Sequence, residues 1–409
     1  MNVTKSENGG LPTSVAVSVA RGLRDFADGF GAVLLPVYLT ALGFDAAQIG
    51  VSATLALLGS AMFTFGVGWL GSRIGDRTTL LVASGLMVAT GIALAASSHY
   101  AAILAVSLFG TLNPSSGNAS VFVPPEHSLM ANGAKAEDRT RIFARYGLIG
   151  AMAAAFGALL TAAPDYLTAA GMDRLAALRA MFLLYAVIGV LIGLVYARTA
   201  QPLTASNPGG EPRSMLGPSK MIVFKLMALF SIDSFAGGFI VQSLLALYLF
   251  QHFGMSLAAA GMFFFWSGVL SAFSQPMAAW MAKRIGLVNT MVFTHIPANI
   301  FLILGALSPR LDVALGLLLV RSFLSQMDVP ARSSYVMAVV TPPERTAAAS
   351  LTALPRSLAT AAAPALSGML LAAGLNAWPL ILGGSLKIVY DLLLLWMFRH
   401  VKPPEEAAQ

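Results

Sequence analysis

The most regular feature of this sequence is a succession of long apolar stretches separated by short polar segments. A helix needs about 20 mostly apolar residues to cross a bilayer, and stretches of this kind follow one another along the whole chain. They cover residues 14–40, 46–70, 78–98, 101–124, 142–163, 176–199, 221–250, 256–281, 286–308, 311–340, 346–373 and 377–399. The pattern therefore predicts twelve transmembrane helices, which we number as spans 1 to 12.

Composition agrees with an integral membrane protein of the all-α class. Hydrophobic residues make up 57% of the chain, charged residues only 11%, and the mean hydropathy is +0.76. An ordinary soluble domain has about 45–50% apolar residues. A membrane β-barrel would have short strands of alternating polarity, whereas these stretches are long and rich in Ala, Leu and Gly. The polar start, MNVTKSENGG, predicts no cleavable signal peptide, so the first span should remain.

The same sequence argues against several kinds of chemistry. Cysteine is absent, and the five histidines have no metal-ligand spacing, so we expect no metal and no cofactor. Without a glycine-rich phosphate loop, ATP-driven transport by this chain alone is excluded. No Ser/His/Asp set suits a membrane hydrolase. The net charge of +7 is better explained by membrane topology than by binding to nucleic acid.

Lysine and arginine are unevenly distributed between the loops. Short loops rich in these residues remain cytoplasmic during membrane insertion. If the N-terminus is cytoplasmic, the loops on the other side contain only Arg174, Arg179 and Arg310. The distribution predicts a multi-pass protein of the cell membrane, the inner membrane if the source is bacterial, with both termini in the cytoplasm.

The longest polar connection, RTAQPLTASNPGGEPRSMLGPSK, is rich in Pro, Gly and Ser, which is typical of a linker. It divides the chain into two halves of about six spans each. The predicted segments are an N-terminal six-helix bundle (1–199), a cytoplasmic linker (200–220), a C-terminal six-helix bundle (221–400) and a cytoplasmic tail (401–409).

The two halves resemble each other, which indicates an internal duplication. The matching segments are DFADGF (25–30) and DSFAGGF (233–239), GSRIGDR (71–77) and AKRIGLV (282–288), and VPPEH (123–127) and TPPER (341–345). At an offset of 211 residues, Arg145 falls on Arg356.

The segment GWLGSRIGDRTTL between spans 2 and 3 resembles the loop motif of the major facilitator superfamily of secondary transporters. The residues that fit the motif are Gly68, Leu70, Gly71, Arg73, Gly75 and Arg77. Ser72 occupies the motif's acidic position and Asp76 a position that is usually basic, so the cytoplasmic latch of the family lacks its acid. The resemblance implies two pseudo-symmetric six-helix bundles that rock against each other around a central site.

A glycine-dependent turn at equivalent places in the two repeats would then act as a gating loop. The residues assigned to it are Gly68, Gly71, Arg73, Gly75, Arg77, Arg284 and Gly286. The alternative is an ordinary cytoplasmic turn whose arginines follow from the positive-inside bias.

Four charged residues interrupt the apolar pattern of span 1, namely Arg21, Arg24, Asp25 and Asp28. Their i, i+3, i+4, i+7 spacing places them on one helix face. Arg21 can pair with Asp25, and Arg24 with Asp28, each at i,i+4. A charge at the bilayer centre costs about 2.5–3.5 kcal/mol on insertion scales, so this face must point into the protein or into water.

Charged residues also lie in spans 7, 10 and 12. Asp328 and Arg332 are four residues apart in span 10, whereas Asp233 in span 7 has no partner at this spacing. The family resemblance implies that spans 1, 4, 7 and 10 line the central cavity. Lys387 and Asp391, four apart in span 12, are interpreted as a structural pair because span 12 is peripheral in the family.

Span 4 has a polar centre, GTLNPSSGNAS, in which proline and glycine interrupt the helix. Freed backbone groups at membrane depth are tolerated only when they are buried in protein or line a cavity. We interpret this segment as a kinked cavity wall that presents Asn113 and Asn118; the alternative is a packing kink filled by small residues. Glu126, further along, caps its helix or pairs with Arg145 in this interpretation.

An aromatic run in span 8, FFFW, ends at Trp266. Such runs mostly face lipid or fill a core, but an inward-facing Trp266 would offer a stacking surface for an amphipathic ligand. Trp266 is therefore kept as a cavity candidate.

These features predict a secondary active transporter that works by alternating access, and not an enzyme. The predicted cavity residues are Arg24, Asp25, Asp28, Asn113, Asn118, Asp233, Gln242, Trp266, Asp328 and Arg332. The leading hypothesis is proton-coupled efflux of a small amphipathic organic compound. Asp233, which lacks an intrahelical cation, is the first choice as proton carrier, and Asp28 is the second. Expected partners are the bilayer and the substrate, with no nucleic acid, and the chain is expected to be a monomer.

Other functions remain open at this point. Uptake or exchange of a small organic anion is favoured by Arg21, Arg24, Arg321 and Arg332, which equal or exceed the nearby acids in number. Span 5 also lacks the Gly-Pro pair that marks many antiporters of the family. A non-transporting receptor or scaffold and a membrane enzyme are alternatives from other classes, and a flux assay in proteoliposomes separates transport from both.

Overall fold

The computed structural model describes residues 12–115, 120–132, 139–199, 217–341 and 344–401. Within these ranges, side chains are described except at 68–74, 131–132, 139–140, 275, 279, 346–347 and 349–350. The described residues form α-helices joined by short connections, in agreement with the predicted all-α class. Nine helical stretches among them are long and apolar enough to cross a bilayer.

The helices divide into two halves of eight. In the first half they are α1 (Thr13–Ala41), α2 (Ala46–Ile74), α3 (Asp76–Ala96), α4 (Tyr100–Phe109), α5 (Val123–Asn132), α6 (Arg139–Leu159), α7 (Ala163–Ala169) and α8 (Arg174–Ala197). In the second half they are α9 (Lys220–Gly238), α10 (Gln242–Phe253), α11 (Leu257–Ile285), α12 (Leu287–Leu307), α13 (Leu311–Leu324), α14 (Asp328–Val339), α15 (Arg345–Ala372) and α16 (Trp378–Phe398).

Most helices follow the predicted spans, but spans 7 and 10 each consist of two shorter helices, and the helix that follows α4, α5, lies almost entirely beyond the predicted end of span 4 at residue 124. The interruption of span 4 between α4 and α5 agrees with its Pro and Gly content. Interruptions of spans 7 and 10 were not predicted from the sequence. Span 7 breaks after Gly238, and span 10 restarts at Asp328, two residues before Pro330. An acid and a proline in the first turn favour the start of a new helix, which explains the second break.

Backbone groups freed at these breaks find partners on other helices. The Phe239 carbonyl, in the break of span 7, accepts a 3.0 Å hydrogen bond from the Ser367 hydroxyl. The Ser243 N–H donates to the Pro114 carbonyl at 3.1 Å, which joins the breaks of spans 7 and 4. Irregular backbone at membrane depth requires such burial in protein. The breaks of spans 4 and 7 therefore lie where the two halves of the protein meet.

The turns between α2 and α3 and between α11 and α12 depend on glycine at equivalent positions. Gly75 and Gly286 have φ angles of 82° and 85° with ψ angles of 147° and 163°. This backbone region is almost restricted to glycine. The repeated geometry agrees with the duplication inferred from the sequence.

The two halves approach each other closely at one end of the bundle. We call the end where α1 begins and α16 finishes the terminal end, and the end where α1 joins α2 the opposite end. At the opposite end, a Cβ on Gly50 would lie 2.5 Å from the Pro364 carbonyl oxygen. The Ala365 N–H donates to the Thr54 hydroxyl at 3.0 Å. These contacts hold α2 of the first half against α15 of the second.

Candidate functional site

The charged face of α1 points into the first half of the protein. This was predicted, because exposing these charges to lipid would cost free energy. Arg21, Arg24, Asp25 and Asp28 are all buried, with at most 5% of their surface exposed. Their partners come from α5, α6 and α8. We call this group, together with those partners, the first-half network.

Glu126 on α5 is the centre of the first-half network. Its carboxylate lies 2.7 Å from Nη1 of Arg24 and accepts a 2.6 Å hydrogen bond from the Tyr196 hydroxyl. The Tyr146 hydroxyl donates to the other carboxylate oxygen. The predicted pairing with Arg145 is wrong, because Arg145 is exposed and the fold brings Arg24 to the buried carboxylate instead.

Arg21 and Asp25 form the predicted i,i+4 pair, with 2.8 Å between Nε and Oδ2. The Arg24 Nε lies 3.5 Å from the other oxygen of Asp25. The Arg21 guanidinium also lies over the Tyr146 ring, 4.7 Å from its centroid. Gly150 on α6 makes room for the pair, since a Cβ there would overlap Oδ2 of Asp25.

Asp28 has a different environment one turn further along α1. Its carboxylate accepts a 3.2 Å hydrogen bond from the Tyr185 hydroxyl, which lies 3.1 Å from the Thr111 hydroxyl. The predicted Arg24–Asp28 pair is wrong, because Arg24 extends towards Glu126 and Asp25. Within the described part of the chain, no basic side chain lies within ion-pair distance of Asp28.

In the second half, Asp233 on α9 is shared by two cations from other helices. Its Oδ1 lies 2.5 Å from Nζ of Lys387 on α16, and its Oδ2 lies 3.1 Å from Nη1 of Arg332 on α14. The prediction that Asp233 is unpaired is wrong, because both partners are distant in sequence. The predicted Lys387–Asp391 pair is also wrong, since Lys387 reaches Asp233 instead.

Asp391 pairs with His295 on α12. The His295 Nδ1 lies 3.0 Å from each Asp391 carboxylate oxygen, and its Nε2 lies 4.0 Å from Oδ1 of Asp233. Both side chains are buried. His295 therefore connects the two carboxylates, and we call the linked group of Asp233, Asp328, Arg332, Lys387, His295 and Asp391 the second-half network.

Arg332 also contacts Asp328 one turn earlier, as the i,i+4 spacing predicts. The Phe230 ring lies beside two guanidinium groups, with its centroid 5.4 Å from Arg332 and 5.9 Å from Arg356. Nε of Arg356 donates a 3.2 Å hydrogen bond to the Ser234 hydroxyl. A guanidinium near an aromatic face is stabilised by the ring quadrupole, but its charge is not neutralised.

Arg321 on α13 has no such neighbours. It is half-buried, and its Nε is inaccessible to solvent and makes no hydrogen bond. Among the residues that the structure describes, none forms an ion pair with it.

The uncharged cavity candidates have varied surroundings. Asn113 is buried, and its Oδ1 accepts a 2.8 Å hydrogen bond from the Ser115 N–H within the break of span 4. Gln242 is half-buried at the start of α10. Trp266 is 48% exposed on the surface of α11. Asn118 lies outside the described residues.

Of the predicted gating residues, Gly75 and Gly286 form the equivalent turns. Nη2 of Arg77 donates a 2.6 Å hydrogen bond to the Ala197 carbonyl at the end of α8. The Arg284 guanidinium lies 4.2 Å from the centroid of the Trp280 ring. Residues whose side chains are not described include Gly68, Gly71 and Arg73.

Sequence reasoning missed the aromatic partners that complete the two networks, namely Tyr146, Tyr185, Tyr196 and His295. Each is a polar side chain inside a predicted span, and that unusual placement was an available signal. Their partners could not be identified, because no periodic spacing relates residues on different helices.

Comparison with known proteins places this architecture in a family. The sequence matches the Major Facilitator Superfamily profile over residues 17–231 and again over 227–409. It is 24% identical over 413 residues to an uncharacterized membrane protein of Saccharomyces cerevisiae, covering 93% of this chain and 92% of the yeast protein.

Two solved structures have the same fold at low sequence identity. The nucleoside transporter NupG matches with a TM-score of 0.73 and 14% identity, over 95% of this chain and 100% of NupG. A bacterial homologue of the iron transporter ferroportin, in an inward-facing state, matches with a TM-score of 0.70 and 15% identity, over 94% of this chain and 98% of the homologue. With a family match to each half, this chain belongs to the Major Facilitator Superfamily and is a membrane transporter.

Proposed function

We propose that this transporter moves a small organic molecule by alternating access and couples that movement to a proton carried by Asp28. The observation that carries the proposal is the isolation of the Asp28 carboxylate. It is 1% exposed, and its one hydrogen bond among the described residues comes from the neutral hydroxyl of Tyr185. An ionised carboxylate buried without a cation is unfavourable, so binding and release of a proton at Asp28 respond strongly to its surroundings.

The neighbours of Asp28 support a link between its protonation and the contact of the two halves. The Tyr185 hydroxyl connects Asp28 to the Thr111 hydroxyl, in the break of span 4. Three residues later, the Pro114 carbonyl accepts the hydrogen bond from Ser243 of the second half. A proton at Asp28 can therefore bias a contact between the halves, as alternating access requires.

Asp233, the first choice from sequence, is less suited to this role. Lys387 and Arg332 each occupy one of its carboxylate oxygens, and both stabilise the ionised form. We therefore assign Asp233 to holding the second half together and Asp28 to proton coupling.

The proposal is tested by a substrate screen in proteoliposomes with and without an imposed pH gradient. Wild type should accumulate its substrate only with the gradient. Asp28→Asn, which mimics the protonated side chain, should abolish this accumulation and retain substrate exchange. Asp45→Asn is the matched control, because Asp45 is exposed and caps α2 through the Gln48 N–H.

Two results would contradict the proposal. Accumulation by Asp28→Asn equal to wild type would remove Asp28 from the mechanism. Accumulation by wild type that ignores the pH gradient would show that no proton is coupled.

Direction, orientation and oligomeric state stay predictions. With cytoplasmic termini, the close contacts at the opposite end would seal the protein from the outside and leave the central site accessible from the cytoplasm. That arrangement is compatible with the predicted efflux of an amphipathic compound. Flux in vesicles of known orientation tests the direction, and reporter fusions at the C-terminus test the topology.

A further inference from the structure

The second half holds more positive charge than its carboxylates can neutralise. Three buried carboxylates lie within its spans, on Asp233, Asp328 and Asp391, whereas Asp312 is exposed and pairs with Arg310. The cations at the same depth are Arg321, Arg332, Arg356 and Lys387. At least one positive charge is therefore left without a counter-charge among the described residues, even when His295 is neutral.

The contacts identify which cations are left over. Both oxygens of Asp233 are occupied by Lys387 and Arg332, and both oxygens of Asp391 face His295. Asp328 is bound by Arg332 as well. Among the described residues, neither Arg321 nor Arg356 forms an ion pair with a carboxylate of the second-half network.

Arg321 projects into the protein and not into lipid. It shares a helix face with Ala314 and Leu318, which are buried, whereas Val313 and Val320 on the other side of α13 are exposed. A guanidinium remains charged at any physiological pH. Its half-buried position without an ion-pair partner among the described residues therefore leaves the four N–H donors of its terminal nitrogens for a ligand.

Arg356 presents a second set of free donors. It lies on the face of α15 that also carries the buried residues Thr352 and Ala363. Ser234 accepts from its Nε, and no hydrogen bond among the described residues uses its terminal nitrogens. Those two nitrogens form the fork that recognises a carboxylate or phosphate in two parallel hydrogen bonds.

Both arginines lie too deep for a lipid headgroup to neutralise them. Arg321 is ten residues from the start of α13 and Arg356 is eleven from the start of α15, which places each about 15–17 Å along its helix at 1.5 Å per residue. The hydrocarbon core is about 30 Å thick, so both side chains originate near its centre. Because Arg321 and Arg356 form no ion pair among the described residues, a molecule that enters the protein can supply a negative charge to them.

We infer that Arg321 and Arg356 each offer a binding point for an anionic group of the transported molecule, so that the substrate class is an organic anion. That the bound anion is a substrate rests on the proposed transport function. The guanidinium groups supply the charge and the paired donors. Phe230 and the Ser234 hydroxyl contact the Arg356 guanidinium and hold it in place.

Binding to the purified full-length protein tests this inference directly. The probes are a library of small aromatic and aliphatic carboxylates, each paired with its neutral amide, such as benzoate with benzamide. Melting temperature is measured against ligand concentration for wild type, Arg321→Gln, Arg356→Gln and Arg356→Lys. Arg310→Gln is the control, because Arg310 is an exposed arginine whose partner is Asp312.

The expected result is that carboxylates stabilise wild type and their amides do not. Each Arg→Gln change should weaken the effective carboxylates by about tenfold or more, since charge-assisted paired hydrogen bonds are lost. Arg356→Lys should retain part of the effect and Arg310→Gln all of it. Without ligand, Arg321→Gln should melt no lower than wild type, because it removes a charge and leaves no partner stranded.

Several results would overturn the inference. One is that carboxylates and their amides stabilise wild type equally. Another is that no carboxylate stabilises wild type more than the glutamine variants. The third is a large fall in the melting temperature of ligand-free Arg321→Gln. Flux assays separate this failure from failure of the proposed function. If only neutral molecules are transported, the anion site is wrong but the transport function stands. If carboxylates bind without crossing the membrane, the anion site stands but the transport function is wrong.

Discussion

The two halves share a backbone arrangement but differ in which charged side chains inside their spans lack an ion-pair partner among the described residues. In the first-half network, three carboxylates surround two arginines, and Asp28 is left without a cation among the described residues. In the second half, Asp233 and Asp328 pair with Arg332 and Lys387, and no ion pair among the described residues includes Arg321 or Arg356. On the proposals made above, a proton suits the first imbalance and an anion the second.

Equivalent positions show how this divergence arose. Glu126 and Glu344 match in the duplicated segments VPPEH and TPPER, and both are buried. Glu126 binds Arg24, whereas Glu344 accepts hydrogen bonds from the Gly217 N–H and the Thr341 hydroxyl. The same acid is thus the centre of an ion network in one half and a local loop contact in the other.

The largest effect is expected from Asp233→Asn, which strands both Lys387 and Arg332. Breaking a buried ion pair costs about 3–5 kcal/mol, and two stranded cations favour the upper end of that range. Adding Lys387→Met should recover part of the loss, because it removes one stranded charge. The loss of stability is measured as the melting temperature and the yield of folded protein in detergent. A double variant that is no more stable than Asp233→Asn alone would count against the Asp233–Lys387 pairing.

Glu126→Gln should have the next largest effect, about 3 kcal/mol, since it strands Arg24 but leaves Asp25 nearby. Glu344→Gln is the matched control and should lose less, because the contacts of Glu344 are local hydrogen bonds. Thermal unfolding of the two variants side by side compares the halves directly. Equal losses would mean that the ion network of the first half contributes nothing beyond local hydrogen bonds.

Gly150→Ala should destabilise the first half by about 2–3 kcal/mol, because the added Cβ would overlap the Arg21–Asp25 pair. Gly147 lies on the same helix, and a Cβ added there would meet no described atom within 4 Å. Gly147→Ala should therefore be neutral or stabilising, as alanine favours a helix. If the two variants have the same melting temperature, the close packing of α6 against the Arg21–Asp25 pair is wrong.

Gly75→Ala and Gly286→Ala should each cost about 1–2 kcal/mol, because alanine is strained at these φ and ψ angles. Equal losses of stability would show that the two turns are equivalent in their energetic cost as well as in their backbone geometry. Gly66→Ala, inside α2 with no described neighbour for its Cβ, controls for glycine replacement as such. A loss at only one of the two turns would show that the halves tolerate strain differently.

Local spacing in the sequence predicted part of the networks. Arg21–Asp25 and Asp328–Arg332 are one helical turn apart, and both pairs form as predicted. The same rule failed for Arg24–Asp28, where a partner from another helix competes for the arginine. Spacing shows which residues can meet on one helix, but a charged side chain can also pair with a residue on any helix that packs against its own.

The sequence by itself determined the membrane-spanning architecture, the duplication and the burial of the α1 charges. Those properties depend on the transfer of each stretch from water to lipid, which its own composition controls. Only the tertiary structure decided that Glu126 binds Arg24, that Lys387 leaves Asp391 for Asp233, and that Asp28 has no cation among the described residues. Such pairings depend on the depth and rotation of one helix against another, and packing between distant segments sets both.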